Sequence, residues 1–193
     1  MSADIDIDFA DRSKILDLIQ HVAARQIVDN QVRRHNSGVY VTDIPYDPVN
    51  GCAALDYQTA EDLGYFKIDF LNMSVYQLIK DPDHYAQMLD IAPPWDRFNT
   101  DKDYFEQLVH VANHWSILQQ MPEPVNSVPR LAMFLALIRP GKRGLVGKTW
   151  LDVAKTVWDT TTDGYSFKKS HAVAYAHLVT LHMNLIHTSN QSN

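Results

Sequence analysis

Three aspartates have the residue type and spacing that suggest chemistry: Asp6 and Asp8 near the start of the chain, and Asp69 in a later segment. Residues two positions apart on a strand point to the same face, and carboxylates that share a face repel one another. Divalent cations relieve that repulsion, since Mg²⁺ takes oxygen ligands, usually one or two carboxylates with phosphate oxygens and water. Two Mg²⁺ ions on these carboxylates would activate a 3′-hydroxyl and stabilise a leaving pyrophosphate. The three residues therefore predict a catalytic metal site.

The same alternation has a purely structural interpretation. A strand with aspartate at every second position is also typical of a solvated sheet edge, where charges discourage aggregation. Asp69 is joined to Asp6 and Asp8 only by inference from the pattern. The residues by themselves leave both interpretations open.

Two alternating segments must position these carboxylates. Residues 4–9 alternate aspartate with apolar residues, and residues 65–70 place Lys67 on the same face as Asp69. Alternation with a period of two predicts a strand in each segment. If the strands are adjacent, the third carboxylate closes the metal site and Lys67 is placed to meet a phosphate. Between the two segments the pattern predicts a helix followed by two strands, at residues 11–23, 39–41 and 53–57.

The chain reads as helical after residue 72. Proline and glycine divide this part into candidate helices at residues 73–80, 83–89, 101–109, 111–120, 127–138, 149–159 and 171–187. The sequence therefore predicts an α+β fold, with a β-containing region at residues 1–72 and a helical region at residues 73–193.

Charge restricts how the chain could bind nucleic acid. The formal net charge of −6 argues against binding by the whole surface, so contacts must come from local basic patches. The densest patch surrounds three glycines that permit a close backbone approach, and its cations can bind phosphates. It comprises Arg139, Lys142, Arg143 and Lys148. A charged surface loop without function is the alternative interpretation.

Cysteine usage and hydropathy indicate the compartment. The single Cys52 excludes a disulfide framework and a cysteine-rich zinc site, and it favours a reducing environment. No segment is long and apolar enough to cross a bilayer, and the first residues lack the basic start and apolar centre of a secretion signal. We therefore expect a cytoplasmic protein without a membrane partner.

Four segments, in the same order, resemble the bacterial DNA polymerase III alpha subunit, the C-family replicative polymerase. Residues 4–9 (DIDIDF) look like that family's PDFDxDF strand, and residues 35–41 (HNSGVYV) are similar to its KHAGGVVI segment. Residues 64–71 (GYFKIDFL) look like GLVKFDFLGL, and residues 165–176 (YSFKKSHAVAYA) are close to YGFNKSHAAAYA of the fingers. A weaker match to ALxRPG lies at residues 136–141. Together the segments cover both ends of the chain.

The resemblance implies a palm with the nucleotidyltransferase topology of the polymerase beta type, followed by a helical fingers region. In that palm the two aspartate strands lie side by side, and Asp6, Asp8 and Asp69 bind two Mg²⁺ ions as catalytic residues. Asp4 matches an outlying acidic position and is not part of the trio. The residues expected to contact nucleotide or DNA, beside the basic patch, are Lys67, His35, Lys168, Lys169, Ser170 and His171.

The sequence also departs from the family pattern. The family has an upstream Gly-Ser motif that opens a helix N-terminus suited to a triphosphate, and no such motif precedes Asp6 here. Only 60 residues separate Asp8 from Asp69, which leaves no room for the thumb found between these strands in the family. Without a thumb the duplex should dissociate quickly, because phosphate contacts supply most of the affinity.

Three hypotheses accommodate these departures. In the first, the chain is a polymerase module acting on DNA and deoxynucleoside triphosphates, and a second polypeptide supplies the missing palm and thumb parts. In the second, it is a reduced relative that binds DNA or regulates replication without catalysis. In the third, it is a nucleotidyltransferase with another acceptor. Its expected location is the cytoplasm of a bacterial or phage-infected cell.

Overall fold

The computed structural model describes residues 5–160 and 167–189. Over these residues the fold is α+β, as predicted. The chain divides into two units, Met1–Leu78 and Ile79–Asn193. Of the residues singled out in the sequence, Asp4, Tyr165 and Ser166 lie outside the described residues. No helix within the described part of the chain is long and apolar enough to cross a membrane.

The first unit carries the strands. Within the described residues its elements are β1 (Ile5–Phe9), α1 (Arg12–Leu16), β2 (Val22–Val28), β3 (Gln31–Tyr40), β4 (Tyr46–Asp47), β5 (Cys52–Ala53), α2 (Tyr57–Asp62), β6 (Ile68–Asn72) and a 3-10 helix at Ser74–Leu78. Four strands form a mixed sheet in the order β1, β6, β3, β2, while β4 and β5 form a separate two-stranded ladder. β1 is parallel to β6, whereas β3 is antiparallel to both β6 and β2.

The hairpin of β2 and β3 turns at two residues with left-handed backbone. Asp29 and Asn30 have φ values of 52° and 60°, and two consecutive positive φ angles define the turn that best matches the twist of paired strands. Aspartate and asparagine tolerate this conformation better than other non-glycine residues. The turn therefore sets the register in which β2 pairs with β3.

A large bulge interrupts this hairpin. Ala23 pairs with Val39 and Arg25 pairs with Arg34, so a single residue of β2 lies opposite residues 35–38 of β3. Bulges bend a strand and redirect its side chains, and they are frequent beside functional sites. Here the extra residues carry side chains from β3 towards the neighbouring β6.

The predicted helix at residues 11–23 is wrong beyond its first turns. α1 ends at Leu16, and Val22 and Ala23 belong to β2, where they pair with Tyr40 and Val39. Ala24 between these pairs is fully buried. Long-range sheet pairing and burial therefore outweigh the local helical spacing of the apolar residues.

The strand predicted at residues 53–57 is also only partly correct. β5 contains Cys52 and Ala53, and the chain then enters α2, whose N-terminus is capped by Asp56. The Asp56 carboxylate accepts hydrogen bonds from the backbone N–H groups of Gln58 and Thr59 at 3.2 and 3.1 Å. This capping satisfies N–H donors that the start of a helix leaves unpaired. The residues after Asp56 therefore form a helix and do not continue the strand.

The second unit is helical within its described residues. Its elements are α3 (Pro82–Asp90), α4 (Trp95–Thr100), α5 (Lys102–Phe105), α6 (Trp115–Leu118), α7 (Val128–Leu137), a 3-10 helix at Pro140–Leu145, α8 (Trp150–Thr156) and α9 (Lys169–Ser189). α7 has six buried residues out of ten and packs against α9. The helices predicted at residues 101–109 and 111–120 are much shorter, since α5 ends at Phe105 and α6 spans only Trp115–Leu118. Between them His110 and Asn113 adopt left-handed φ angles of 64° and 68°, which a continuous helix does not allow.

Aromatic rings form the centre of this second core. The ring of Phe105 lies edge-on to those of Phe98, Trp115 and Phe134, with centroid distances of 5.0, 5.3 and 6.3 Å. Two polar side chains fix the long helix α9 within this apolar surrounding. The Tyr104 hydroxyl donates to the Met183 carbonyl at 2.7 Å, and Asn184 Nδ2 donates to carbonyls at the end of α3.

Candidate functional site

Asp6 and Asp69 lie level with each other on neighbouring strands. Asp6 of β1 pairs with Asp69 of β6, and on the other side of β6 the partner of Asp69 is Gly38 of β3. Neighbouring strands are about 4.8 Å apart, and residues paired across them share a face. Asp6, Asp69 and Gly38 therefore form a row across the sheet, and Asp8 lies two residues further along β1 on the same face. Asp6, Asp8 and Asp69 together are called the aspartate row. The expected adjacency of the two aspartate strands is confirmed.

The carboxylate of Asp69 is buried and fully partnered. Asp69 is only 7% exposed. The Ser37 hydroxyl donates to Oδ1, and the Lys67 ammonium pairs with Oδ2. A buried charge is tolerated when it is both paired and hydrogen-bonded. Asp69 is thus held in one position with its charge already compensated.

The bulge of β3 brings Ser37 to Asp69, and His35 stabilises the bulge. His35 Nδ1 accepts hydrogen bonds from the backbone N–H groups of Gly38 at 2.9 Å and Ser37 at 3.3 Å. Burial, and then the nearby Lys67, lower the pKa of His35 against the opposing effect of Asp69. The imidazole is therefore neutral at pH 7, with its proton on Nε2. His35 acts here as a support of the bulge, and its expected contact with nucleotide or DNA stays a prediction.

Arg12 ties the same bulge to β6. Its Nη1 donates to the Phe70 carbonyl at 3.0 Å and to the Asn36 carbonyl. Arg12 N also donates to Asn72 Oδ1 at 2.7 Å. One arginine at the start of α1 thus connects three segments around the aspartate row.

Lys67 reaches Asp69 through a narrow space. A Cβ atom at residue 38 would lie 2.7 Å from Lys67 Cδ, so only glycine leaves room for this lysine conformation. The Lys67 ammonium lies 6.0 Å from the centroid of the Tyr57 ring. The Tyr57 ring in turn meets the His35 ring edge-on at 5.4 Å. The lysine is therefore surrounded on several sides in addition to its ion pair.

The β1 side of the row has a different electrostatic environment. Asp6 is exposed and Asp8 is half-buried. Burial, followed by repulsion from Asp6, raises the pKa of Asp8. The negative charge of Asp8 is therefore disfavoured on β1, while the carboxylate on β6 is paired with Lys67.

The donor set fits Mg²⁺ in its chemistry, since three carboxylates on one sheet face offer the oxygen ligands that this ion prefers. The side chains as they stand are not gathered around one point. Among residues 5–160 and 167–189, no three His, Cys, Asp or Glu side chains are grouped closely enough to hold a metal ion. The backbone register thus suits the predicted site, while Asp69 is directed to Lys67 and Ser37.

The predicted basic patch lies in the second unit and is more structural than its sequence suggests. Lys142 Nζ donates to the carbonyls of Thr156 and Asp159, which caps the end of α8. Arg143 and Lys148 are exposed. The Arg139 guanidinium lies over the Phe167 ring at 4.5 Å. Only part of the patch therefore faces solvent as ready phosphate ligands.

A stack of side chains extends from Arg139. The Phe167 ring is stacked with Tyr175 at 6.0 Å, and Tyr175 is stacked with His110 at 4.3 Å. Burial, and then Arg139, lower the pKa of His110. Arg139 Nε and His110 Nε2 are buried atoms without a hydrogen-bond partner. The stack carries a positive charge at one end, on Arg139.

The remaining predicted contacts lie at the start of α9. Lys169, Ser170 and His171 occupy its first turn, and Lys168 immediately precedes it. The Lys169 ammonium is 6.0 Å from the centroid of the Trp158 ring. These positions are compatible with a surface contact, and their roles in binding stay predictions.

No protein-family model, curated protein or solved structure matches this chain in comparisons with known proteins.

The residues assigned to the site thus fall into two groups. The first unit brings together Asp6, Asp8, Asp69, Lys67 and His35, and the second unit contains the basic patch and the start of α9. Sequence reasoning missed the contributions of Ser37, Gly38, Arg12 and Tyr57. The segment HNSG could have indicated the first two, since a polar glycine-containing insertion inside a strand is typical of a bulge. The contribution of Arg12 depends on sheet pairing and has no local signal.

Proposed function

We propose that the chain is a DNA-directed nucleotidyltransferase module related to the bacterial DNA polymerase III alpha subunit. The observation that carries this proposal is the parallel pairing of β1 with β6, which sets Asp6 beside Asp69 and Asp8 on the same face. The resemblance lies in local sequence segments, whereas the pairing joins residues more than 60 positions apart. Agreement between two such different kinds of observation is what supports the proposal.

Each residue has a role in the proposed reaction. Asp6, Asp8 and Asp69 would hold two Mg²⁺ ions, which supply activation of the 3′-hydroxyl and neutralisation of the leaving pyrophosphate. Ser37 holds the Asp69 carboxylate in a fixed orientation, and Lys67 lies within reach of phosphates bound to the row. His35 and Arg12 maintain the bulge that positions Ser37. The exposed Arg143 and Lys148 are candidates for phosphate contacts with DNA or the incoming triphosphate.

A second polypeptide belongs to this proposal. Sixty residues between Asp8 and Asp69 form one hairpin, a short ladder and two small helices, so this part of the chain contains no thumb-like domain. A partner chain would supply the grip on duplex DNA that a thumb provides in the family. We therefore propose that the module acts as one piece of a split polymerase.

A non-catalytic DNA-binding or regulatory protein is the second candidate. The compensation of Asp69 by Lys67 and Ser37 favours it, because a carboxylate with both oxygens partnered has no electrostatic need for a metal ion. In this case the aspartates belong to the sheet and bind no metal ion. DNA contacts would then depend on the basic residues alone.

Primer extension distinguishes the two candidates. The purified chain is assayed with primed DNA, deoxynucleoside triphosphates and Mg²⁺, alone and with the product of the neighbouring gene. We expect extension by the native chain, loss of extension in Asp69→Asn, and unchanged extension in Asp43→Asn, a control with an exposed aspartate. Absence of extension in every combination, with DNA binding retained, would establish the non-catalytic candidate instead.

A further inference from the structure

Asp69 is paired with the ammonium group of Lys67 at the position where the proposed site requires a metal ion. Lys67 pairs with Oδ2 and the Ser37 hydroxyl donates to Oδ1, so both oxygens of this buried carboxylate are occupied by side chains. Removing a charge from water is costly unless an opposite charge accompanies it. The folded chain meets this requirement without any ion, by means of a lysine two residues earlier on the same face.

The fold reserves space for this lysine. Gly38 is the partner of Asp69 on β3, and a Cβ atom there would come within 2.7 Å of Lys67 Cδ. The Lys67 side chain therefore crosses the sheet over the one residue that has no side chain. The position of the Lys67 side chain therefore depends on the absence of a side chain at Gly38.

The other two carboxylates of the row, those of Asp6 and Asp8, lie on the edge strand β1. Asp6 is the partner of Asp69 in the parallel ladder, and Asp8 lies two residues further along β1 on the same face, where carboxylates repel one another. A dication that settles between the strands would meet two repelling carboxylates on one side and a lysine-bound carboxylate on the other. A dication bound to Asp69 would repel the Lys67 ammonium group on the same carboxylate, since both are cations, and we therefore expect the ammonium group to leave.

We propose that Lys67 is an exchangeable counterion: it holds Asp69 in the absence of a divalent cation, and cation binding releases it. This inference rests on the proposed function, because it assumes that Asp69 is a metal ligand. The exchange has two consequences. Competition from Lys67 raises the cation concentration at which the site fills, and the released ammonium becomes available to a substrate phosphate only when the metal is in place.

Cation binding to the full chain in the absence of nucleotide tests the exchange. Mn²⁺ is used as the probe, and free Mn²⁺ is measured by electron paramagnetic resonance. We expect Lys67→Met to bind Mn²⁺ roughly fivefold more tightly than the native chain. The substitution removes the Lys67–Asp69 ion pair, which competes with the cation, and a partly exposed ion pair contributes up to about 1 kcal/mol. Lys67→Arg, which keeps the charge, should bind like the native chain.

Thermal stability gives a second readout that a merely structural lysine would not produce. Without divalent cations Lys67→Met should melt at a lower temperature than the native chain, because Asp69 has lost its partner. Saturating Mn²⁺ should abolish this difference. A difference that persists unchanged in Mn²⁺ contradicts the exchange.

Gly38→Ala tests the same exchange without removing the lysine. The added methyl group would lie 2.7 Å from Lys67 Cδ, and also 3.0 Å from His35 Nδ1 and 3.2 Å from Ala24 Cβ, so it displaces the Lys67 side chain and also crowds the bulge. This variant should also bind Mn²⁺ more tightly, and it carries the test if Lys67→Met does not fold. If Asp69→Asn loses Mn²⁺ binding while Lys67→Met and Gly38→Ala bind no more tightly than the native chain, the exchange is refuted and the proposed function stands. If no form of the chain binds Mn²⁺, both are refuted.

Discussion

The two units of the molecule hold their elements together by different interactions. In the second unit, rings and aliphatic side chains around Phe105 form a large buried cluster, to which polar groups contribute a few fixing hydrogen bonds. In the first unit the buried cluster is small and consists of Ala24, Tyr40, Ile44, Ala53 and Ala60. The sheet there depends on directed contacts from Arg12, His35 and Ser37.

This difference determines what a substitution should do in each unit. Apolar packing is non-directional and contributes free energy in proportion to the area buried. Hydrogen bonds contribute less free energy but fix the relative positions of atoms. We therefore expect substitutions in the second unit to affect stability most, and substitutions in the first unit to affect the geometry of the aspartate row.

The largest expected effect is that of Phe105→Ala. This ring is fully buried and contacts three other rings, so its loss should lower the free energy of unfolding by about 3–5 kcal/mol. Urea denaturation followed by near-ultraviolet circular dichroism measures the change. Leu151→Ala, at a position 74% exposed on α8, is the control and should stay within about 0.5 kcal/mol. Equal effects of the two would contradict the described core.

Arg12→Met should have a smaller effect on stability and a clear effect on geometry. It removes the charged donor to the Phe70 and Asn36 carbonyls, at a cost of about 1–2 kcal/mol. Amide hydrogen exchange at Ser37 and Gly38 should accelerate, because the bulge is released from β6. The control Arg33→Met changes an exposed arginine of β3, the strand that contains the bulge. It should leave the amide exchange at Ser37 and Gly38 unchanged.

Acidification should destabilise the second unit. Burial lowers the pKa of His182 and His110 below the ordinary value of 6.5, so the unfolded chain binds more protons as soon as the pH falls below about 6.5. Stability is therefore complete above that value and declines towards the folded-state pKa values, by about 1 kcal/mol between pH 7.5 and 5.5. His182 Nδ1 accepts from the Val109 N–H at 3.2 Å. Denaturation of His182→Gln at both pH values should show a smaller decline than the native chain.

Asp8→Asn should have the smallest effect on stability, and it should stabilise the chain where the preceding changes destabilise it. Removal of a charge that burial and Asp6 disfavour should raise the melting temperature by about 1–2 °C without divalent cations. Asp43→Asn, at an exposed loop position, serves as the control and should leave the melting temperature unchanged. A lower melting temperature for Asp8→Asn would mean that its carboxylate has a stabilising partner.

The sequence predicted the elements whose signals are local. Alternation indicated β1 and β6, and apolar spacing with proline boundaries indicated α7 and α9 close to their observed bounds. The hairpin of β2 and β3 was largely missed, although Asp29-Asn30 is a recognisable turn signal. Apolar residues at positions 15–23 match a helical period, and only the pairing with β3 places Val22 and Ala23 in a strand.

The aspartates could be found from the sequence because they are unusual in strands, where carboxylates gain nothing from packing. Their neighbours could not. Ser37 and Gly38 reach Asp69 only through a bulge whose size depends on the register of two strands. The Lys67 ion pair also depends on that register, since the glycine that admits the lysine belongs to another strand. Local patterns therefore identify the ligands, and tertiary pairing determines their electrostatic state.

The parallel ladder of β1 and β6 has a consequence for how the protein is made. The residues it joins are separated by almost the whole of the first unit, and contacts between distant residues form late because a long loop must close first. During synthesis, Asp6 and Asp8 leave the ribosome well before Asp69 exists. The nascent chain therefore cannot assemble the aspartate row until Asn72 has been translated and the intervening hairpin has provided a strand for β6 to join.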